Sequence, residues 1–349
     1  MYKSPEPPAD MRSIARWLFV CCALILLMVI IGGLTRLTGS GLSMVEWAPV
    51  MGWIPPMNTA DWQEQFTLYQ QSPEFIKMNW SMTLEGFKAI FWLEYIHRLI
   101  GRLTGLVFLL PFLYFLLRRR IDRPLAWQFA LMFILGGLQG GMGWYMVKSG
   151  LVDNPHVSPY RLTAHLGIAV LLYAYMFWVA LGLHSGQRTI HPPTSRNGFR
   201  RAATAMTSLI FLTILSGGFV AGLDAGMAFN TFPLMNDVWI PEGILQMEPW
   251  YLNIFENLIT VQWDHRLLAT LVFLAVVSFW WAARRQPLAR AVGPASHLLL
   301  GMVFLQLALG ISTLLWMVPT PLASAHQTGA VVLLTIALFI THRLYHAAE

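Results

Sequence analysis

Long apolar runs alternate with polar stretches along the whole chain. Eight runs stand out, at 17–35, 89–117, 125–147, 161–183, 202–222, 257–283, 296–318 and 322–342. A helix needs about 20 apolar residues to cross a bilayer, so this pattern predicts an all-α polytopic membrane protein with eight transmembrane helices. The polar start, Met1 to Arg16, leads into a first run long enough to span, so no cleaved signal is expected. Two polar intervals are long: 36–88, which carries Trp47, Trp53, Trp62 and Trp80, and 223–256. Such tryptophan- and proline-rich loops suit an interfacial belt or a lid over an outer pocket.

Composition strengthens this picture. The chain is 56% hydrophobic and 11% charged, with a mean hydropathy of +0.55, which excludes an ordinary soluble globule. The net charge of +6 therefore reads as topology and not as a nucleic-acid footprint. Arginines cluster after every second run: Arg118, Arg119, Arg120 and Arg123, then Arg188, Arg196, Arg200 and Arg201, then Arg284, Arg285 and Arg290. With Lys3, Arg12, Arg16 and Arg343 these make 15 of the 23 Lys and Arg, against only Glu6, Asp10, Asp122 and Glu349 among the acids. The positive-inside rule then puts both termini in the cytoplasm and the acidic loops outside. Cys21 and Cys22 are adjacent within the first run, so neither a disulfide nor a thiolate metal site is expected.

Ionisable residues inside such runs are expensive and serve as functional candidates. The second run opens with Glu94, His97, Arg98 and Arg102, and Glu94 and His97 lie one turn apart on one helix face. A Glu–His pair alone could merely cap a membrane helix, but the histidine recurs. His165, His265 and His326 each lie a short way into an apolar run, and a small residue follows each histidine by four: Gly101, Ala169, Ala269 and Ala330. With both termini inside, the four helices descend from the outer face and hold their histidines at one depth.

The spacing marks a tandem repeat. His97 to His265 is 168 residues and His165 to His326 is 161, while Gly32-Gly33 is matched by Gly217-Gly218. An even number of helices per copy makes the repeats parallel, related by a pseudo-two-fold axis along the membrane normal. The expected organisation is two four-helix bundles, 1–190 with the long outer loop and 191–349. Gly136 to Gly143 in the third run carries overlapping small-xxx-small patterns, for which close helix packing is the simplest role.

Paired histidines on facing helices suit bis-imidazole haem ligation, one haem per bundle. Zinc would want more ligands of mixed type, and a proton relay would not need two histidines in each repeat. Arg36, Arg98, Arg161 and Arg266 are candidate partners for propionate carboxylates; interfacial anchoring is their alternative role. The other histidines, His156, His184, His191, His297, His342 and His346, lack a repeat partner and read as surface or interfacial residues. The copies differ at one telling position: three residues before His97 is Glu94, but three before His265 is Gln262. Asp264 points to another face and does not replace the carboxylate.

These residues resemble the haem A synthase family, in its proteobacterial and mitochondrial-type branch. The likeness rests on Thr35-Arg-Leu-Thr-Gly-Ser-Gly-Leu-Ser-Met44, Glu94-Tyr-Ile-His-Arg-Leu-Ile-Gly-Arg102, Gly136-Gly-Leu-Gln-Gly140 with Gly143-Trp-Tyr145, Tyr160-Arg-Leu-Thr-Ala-His165, Asn230-Thr-Phe-Pro-Leu-Met235 and Val261-Gln-Trp-Asp-His-Arg266. The resemblance implies oxidation of the C8 methyl of haem O to a formyl group in a bacterial inner membrane. Substrate haem would lie between His97 and His165, a haem b cofactor between His265 and His326, and Glu94 would be the catalytic carboxylate. It also implies a haem O synthase as functional neighbour and an electron partner; a homo-oligomer is compatible with it. Unlike some relatives, this chain has no cysteine pair in an outer loop, and Gly39 stands where many carry an acidic residue. A di-haem b, quinol-linked electron carrier would need the same four histidines but no Glu94, and a transporter would not need matched ligands.

Reporter fusions test the topology: those near Arg196 should read cytoplasmic and those near Asp61 external. The reverse result would move all four histidines to the inner face.

Overall fold

In the computed structural model, residues 9–46, 52–152, 155–186, 197–286 and 288–346 are described. Lys3, Glu6, Trp47, Arg188, His191, Arg196 and Glu349 lie outside them. The described chain is almost entirely helical, with one isolated bridge between Met235 and Val238. Eleven α-helices run in order: α1 Ala9–Leu37, α2 Thr59–Gln70, α3 Pro73–Lys77, α4 Leu84–Leu117, α5 Arg123–Gly150, α6 Pro159–Ser185, α7 Asn197–Gly222, α8 Asn253–Glu256, α9 Leu258–Ala283, α10 Val292–Leu315 and α11 Thr320–His346. Eight of these, α1, α4 to α7 and α9 to α11, are long and apolar enough to cross a membrane. The expected all-α membrane architecture is therefore present, and this is an integral membrane protein.

Where helix ends depart from the hydropathy pattern, local chemistry explains it. Helix α4 starts at Leu84, five residues before its apolar run, because the Thr83 hydroxyl accepts from the Gly86 amide and caps a polar first turn. Helix α10 stops at Leu315, although Trp316 to Val318 are apolar. Met317 and Val318 both have φ near +58°, and the Val318 amide turns back to the Thr313 carbonyl at 2.8 Å. Helix α1 ends through Gly39, whose φ of +64° few other residues accept. The Ser40 amide then reaches the Thr35 carbonyl at 2.9 Å, in the manner of a Schellman cap.

The chain divides into two compact units. One comprises Leu24–Ala169, and the other Met1–Ala23 with Val170–Glu349, so α1 and α6 each contribute to both. In the first unit the long loop after α1 carries the short helices α2 and α3. Phe66 and Tyr69 of α2 pack with Phe87, Phe91 and Tyr95 of α4 into one buried cluster, and Trp62 meets Phe91 edge-on at 5.1 Å. Trp80 is exposed. The loop and α4 together line a cavity of about 320 Å³, bounded by Met44, Ile54, Asp61, Glu64, Phe91 and Tyr95.

The loop also buries a carboxyl. Glu74 accepts a hydrogen bond from the Tyr69 hydroxyl at 2.9 Å, and Tyr69 accepts from the Asn79 amide at 2.8 Å. Burial raises the Glu74 pKa from 4.5 to about 7, against the lowering effect of Tyr69. The folded loop thus binds this proton more tightly than an unfolded one does. The stability it contributes is complete below the ordinary carboxylate pKa and is lost as pH rises through about 7. Limited proteolysis of the loop in detergent should accelerate from pH 5 to pH 8 in the wild type, and Glu74→Gln should flatten that dependence.

Candidate functional site

Each of the four histidines sits against a glycine on another helix. A Cβ added to Gly32 of α1 would lie 3.0 Å from Cε1 of His97 on α4, and one on Gly143 of α5 would lie 3.1 Å from Cε1 of His165 on α6. In the second unit, Gly217 of α7 meets His265 of α9 at 3.3 Å, and Gly310 of α10 meets His326 of α11 at 2.8 Å. The imidazoles thus lean on bare backbone, where any side chain would displace them. The rings of His265 and His326 are 6.4 Å apart between centroids and nearly perpendicular, at 85°.

Polar neighbours hold the rings unequally. The Ser216 hydroxyl contacts Nδ1 of His265 at 2.7 Å, whereas Nδ1 of His97 and Nδ1 of His165 are buried without a hydrogen-bond partner. Gln139 and Gln306 occupy matched places, each four residues before the glycine that receives a ring. The Gln139 amide donates to the His165 carbonyl at 3.0 Å, and the Gln306 amide to the His326 carbonyl at 2.8 Å. Neither glutamine nor Ser216 was singled out by the sequence pattern. The signal was there in the shared Gln-x-x-x-Gly spacing, but a neutral amide in an apolar run is easily passed over.

Glu94 is buried, at 2% exposure, and both its oxygens are occupied. Oε2 accepts from the Ser43 hydroxyl at 2.6 Å and the Met44 amide at 2.8 Å. Oε1 pairs with the Arg98 guanidinium at 2.5 Å. Arg98 in turn donates to the carbonyls of Met44 and Glu46, at 2.9 and 3.1 Å. The strap after α1 is therefore clamped to the histidine-bearing helix from both sides of one peptide segment. The second unit repeats the clamp without the charge. The Gln262 amide donates to the Phe229 carbonyl at 3.0 Å, and Arg266 donates to Phe229 and Thr231, each at 3.0 Å.

A model of the cytochrome oxidase assembly protein family, COX15-CtaA, matches residues 15–338. The chain belongs to that family. A relative named "Heme A synthase" from Nitrosospira multiformis is 54% identical over 98% of this chain and 96% of its own length. Another of that name from Nitrosomonas eutropha is 52% identical over 95% of this chain and 93% of its own. "Heme A synthase COX15" from Mus musculus is 45% identical over 95% of this chain and 82% of its own.

The COX15-CtaA match spans all four histidines and both clamps. Of the arginines, Arg36 closes the last turn of α1, while Arg161 donates to the Tyr145 carbonyl at 2.7 Å and lies 3.7 Å over that ring. Two expectations need correcting. Gly136, Gly137, Gly140 and Gly141 do not pack against a neighbouring helix: an added Cβ on any of them meets no atom within 4 Å. His342 is not a surface residue. It is 1% exposed, its ring 4.9 Å from Trp178 and 4.4 Å from His346 between centroids, where Gly182 of α6 leaves room for it.

The open glycines differ from the residues at the corresponding positions around the other histidine pair. In the register set by Gln139 and Gln306, Gly137 corresponds to Phe304; in that set by His97 and His265, Gly105 corresponds to Phe273. Phe273 and Phe304 meet edge-to-face at 5.1 Å across α9 and α10. Neither Gly105 nor Gly137 would bring a Cβ within 4 Å of anything.

Proposed function

We propose that this chain is a haem A synthase, an oxidoreductase that converts the C8 methyl of haem O to a formyl group. The observation that carries the activity is the 54% identity, over nearly the whole chain, to a relative of that name. In this reading, residues 1–190 and 191–349 are the two repeats, related by an axis along the membrane normal. Both termini lie in the cytoplasm of a bacterial inner membrane and the histidines toward its periplasmic side. A haem O synthase is the functional neighbour that makes the substrate; an electron partner, lipid and a second copy of the chain complete the surroundings.

His265 and His326 would hold haem b, which supplies one-electron transfer when bound. Their separation supports this. Two metal–imidazole bonds of about 2 Å, plus roughly 1 Å from each nitrogen to its ring centre, amount to about 6 Å, against 6.4 Å between these centroids. His97 and His165 would take haem O. Substrate must come and go, and the N-terminal copy suits this, having Gly105 and Gly137 where the other is closed by Phe273 and Phe304. Haem O also carries a long isoprenoid tail, which needs room that haem b does not.

Glu94 would be the catalytic carboxylate. Oxidising a porphyrin methyl builds positive charge on its carbon, which a fixed carboxylate in a dry site stabilises, and the same group can take a proton from water. In each of two successive hydroxylations water supplies a hydroxyl to the carbon while two electrons and two protons leave, the electrons passing to the electron partner; the resulting geminal diol loses water to leave the aldehyde. Arg98, Ser43 and the Met44 amide hold the carboxylate in place, so it is oriented before substrate arrives. Arg36, Arg98, Arg161 and Arg266 are the candidate propionate partners in this reading.

Haem extraction from membranes that co-express haem O synthase tests the proposal. Glu94→Gln should keep both haems and stop at haem O or a hydroxylated intermediate; normal haem A would remove the carboxylate and favour a di-haem electron carrier. Gly105→Phe combined with Gly137→Phe should cut haem A formation at least tenfold while haem b content is unchanged. Unchanged turnover would show that substrate does not use that opening.

A further inference from the structure

Two matched rings differ in what they lean against. His97 and His265 both present Cε1 and Nδ1 to a glycine: these atoms would lie 3.0 and 3.7 Å from a Cβ added to Gly32, and 3.3 and 3.8 Å from one added to Gly217. The residue before the glycine differs: Ile31 in one copy, Ser216 in the other. The Ser216 hydroxyl donates its one proton to the Thr213 carbonyl at 2.8 Å. Its 2.7 Å contact with His265 is then one in which Nδ1–H of the ring donates to the hydroxyl oxygen. This is the arrangement that a ligating Nε2 requires, since a metal-bound Nε2 leaves the ring's proton on Nδ1 and the hydroxyl proton free for Thr213. His97 has the same pose, but its Nδ1 is buried with no partner.

A metal-bound imidazole whose far nitrogen donates a hydrogen bond is a more basic and better oriented ligand, and losing such a partner typically costs 10–100-fold in metal affinity. We infer that Ser216 is a positioning residue that makes the C-terminal site retain its haem, and that Ile31 at the matched place leaves His97 a weaker ligand, suited to a haem that must leave. The inference rests on the assignment of haem b to His265 and His326. It adds a cause for the different lifetimes of the two haems: a serine hydroxyl present beside one ligand and absent beside the other. The serine hydrogen bond also shifts electron density toward the ring, which favours the oxidised iron.

The test uses full-length protein purified in detergent, with haem b loss followed by transfer to apomyoglobin. Ser216→Ala should lose haem b roughly tenfold faster or more and should raise the midpoint potential of the haem that remains. Ser216→Thr, which keeps the hydroxyl, should restore both. Ile31→Ser should slow haem release from the N-terminal site, read as haem O or haem A co-purifying in greater amount. A purely structural Ser216 would change thermal stability without moving the potential. The inference is overturned if Ser216→Ala matches the wild type in both loss rate and potential while His265→Ala removes haem b. If His265→Ala keeps haem b, it is the ligand assignment that has failed.

Discussion

A carboxylate buried in a membrane helix has to be neutralised where it stands, and Glu94 shows what that demands of the surrounding chain. Its partners come from two places: Arg98 one turn along the same helix, and the Ser43–Met44 strap that follows α1. Removing one partner of a buried ion pair costs about 3–5 kcal/mol, so the strap and the charge hold each other in place. The strap reaches Glu94 only because α1 ends sharply at Gly39 and the chain turns back within five residues. The sequence from Thr35 to Met44 is thus one device: a helix end, a left-handed turn and two donors aimed at a single carboxylate.

The second unit shows the same device with the charge removed. Gln262 and Arg266 still clamp the strap after α7, through the Phe229 and Thr231 carbonyls. Clamping therefore does not require a carboxylate, since a neutral amide does it in the other copy. The negative charge at Glu94 is therefore more than the clamp itself needs, and in the proposed reading that surplus marks it as the chemical group.

The eight spans were legible because hydropathy over 20 residues reports bilayer burial directly. The four histidines could be picked out as ionisable groups in apolar surroundings repeated at fixed spacing, and the structure seats each ring against a glycine of another helix. The rest depended on features that pattern does not carry. The sign of φ at Met317 and Val318 ends α10, and both residues are apolar. The clamp on Glu94 joins residues about 50 apart in the chain, with only ordinary side chains at Ser43 and Met44. Glycines were the hardest to assign: Gly32, Gly143, Gly217 and Gly310 receive imidazoles, while the Gly136–Gly141 group faces open space. Composition is the same in both cases, and only the position of the neighbouring helix separates them.

Tight retention and turnover make opposite demands on one scaffold. A permanent cofactor needs slow dissociation, whereas a substrate site must release product at least as fast as it makes it. In the proposed reading a duplicated bundle supplies two bis-histidine frames, but identical frames would bind with similar lifetimes. In the proposed reading the histidines are retained and the difference lies around them. Ser216 stands opposite Ile31 beside the ring, Phe273 and Phe304 stand opposite Gly105 and Gly137 at the helix seam, and Gln262 stands opposite Glu94 on the clamp. The first two differences favour holding in the C-terminal copy and exchange in the N-terminal one, and the third adds reactivity where exchange occurs. Few substitutions outside the ligands are then enough to turn one copy into a cofactor site and the other into an active site.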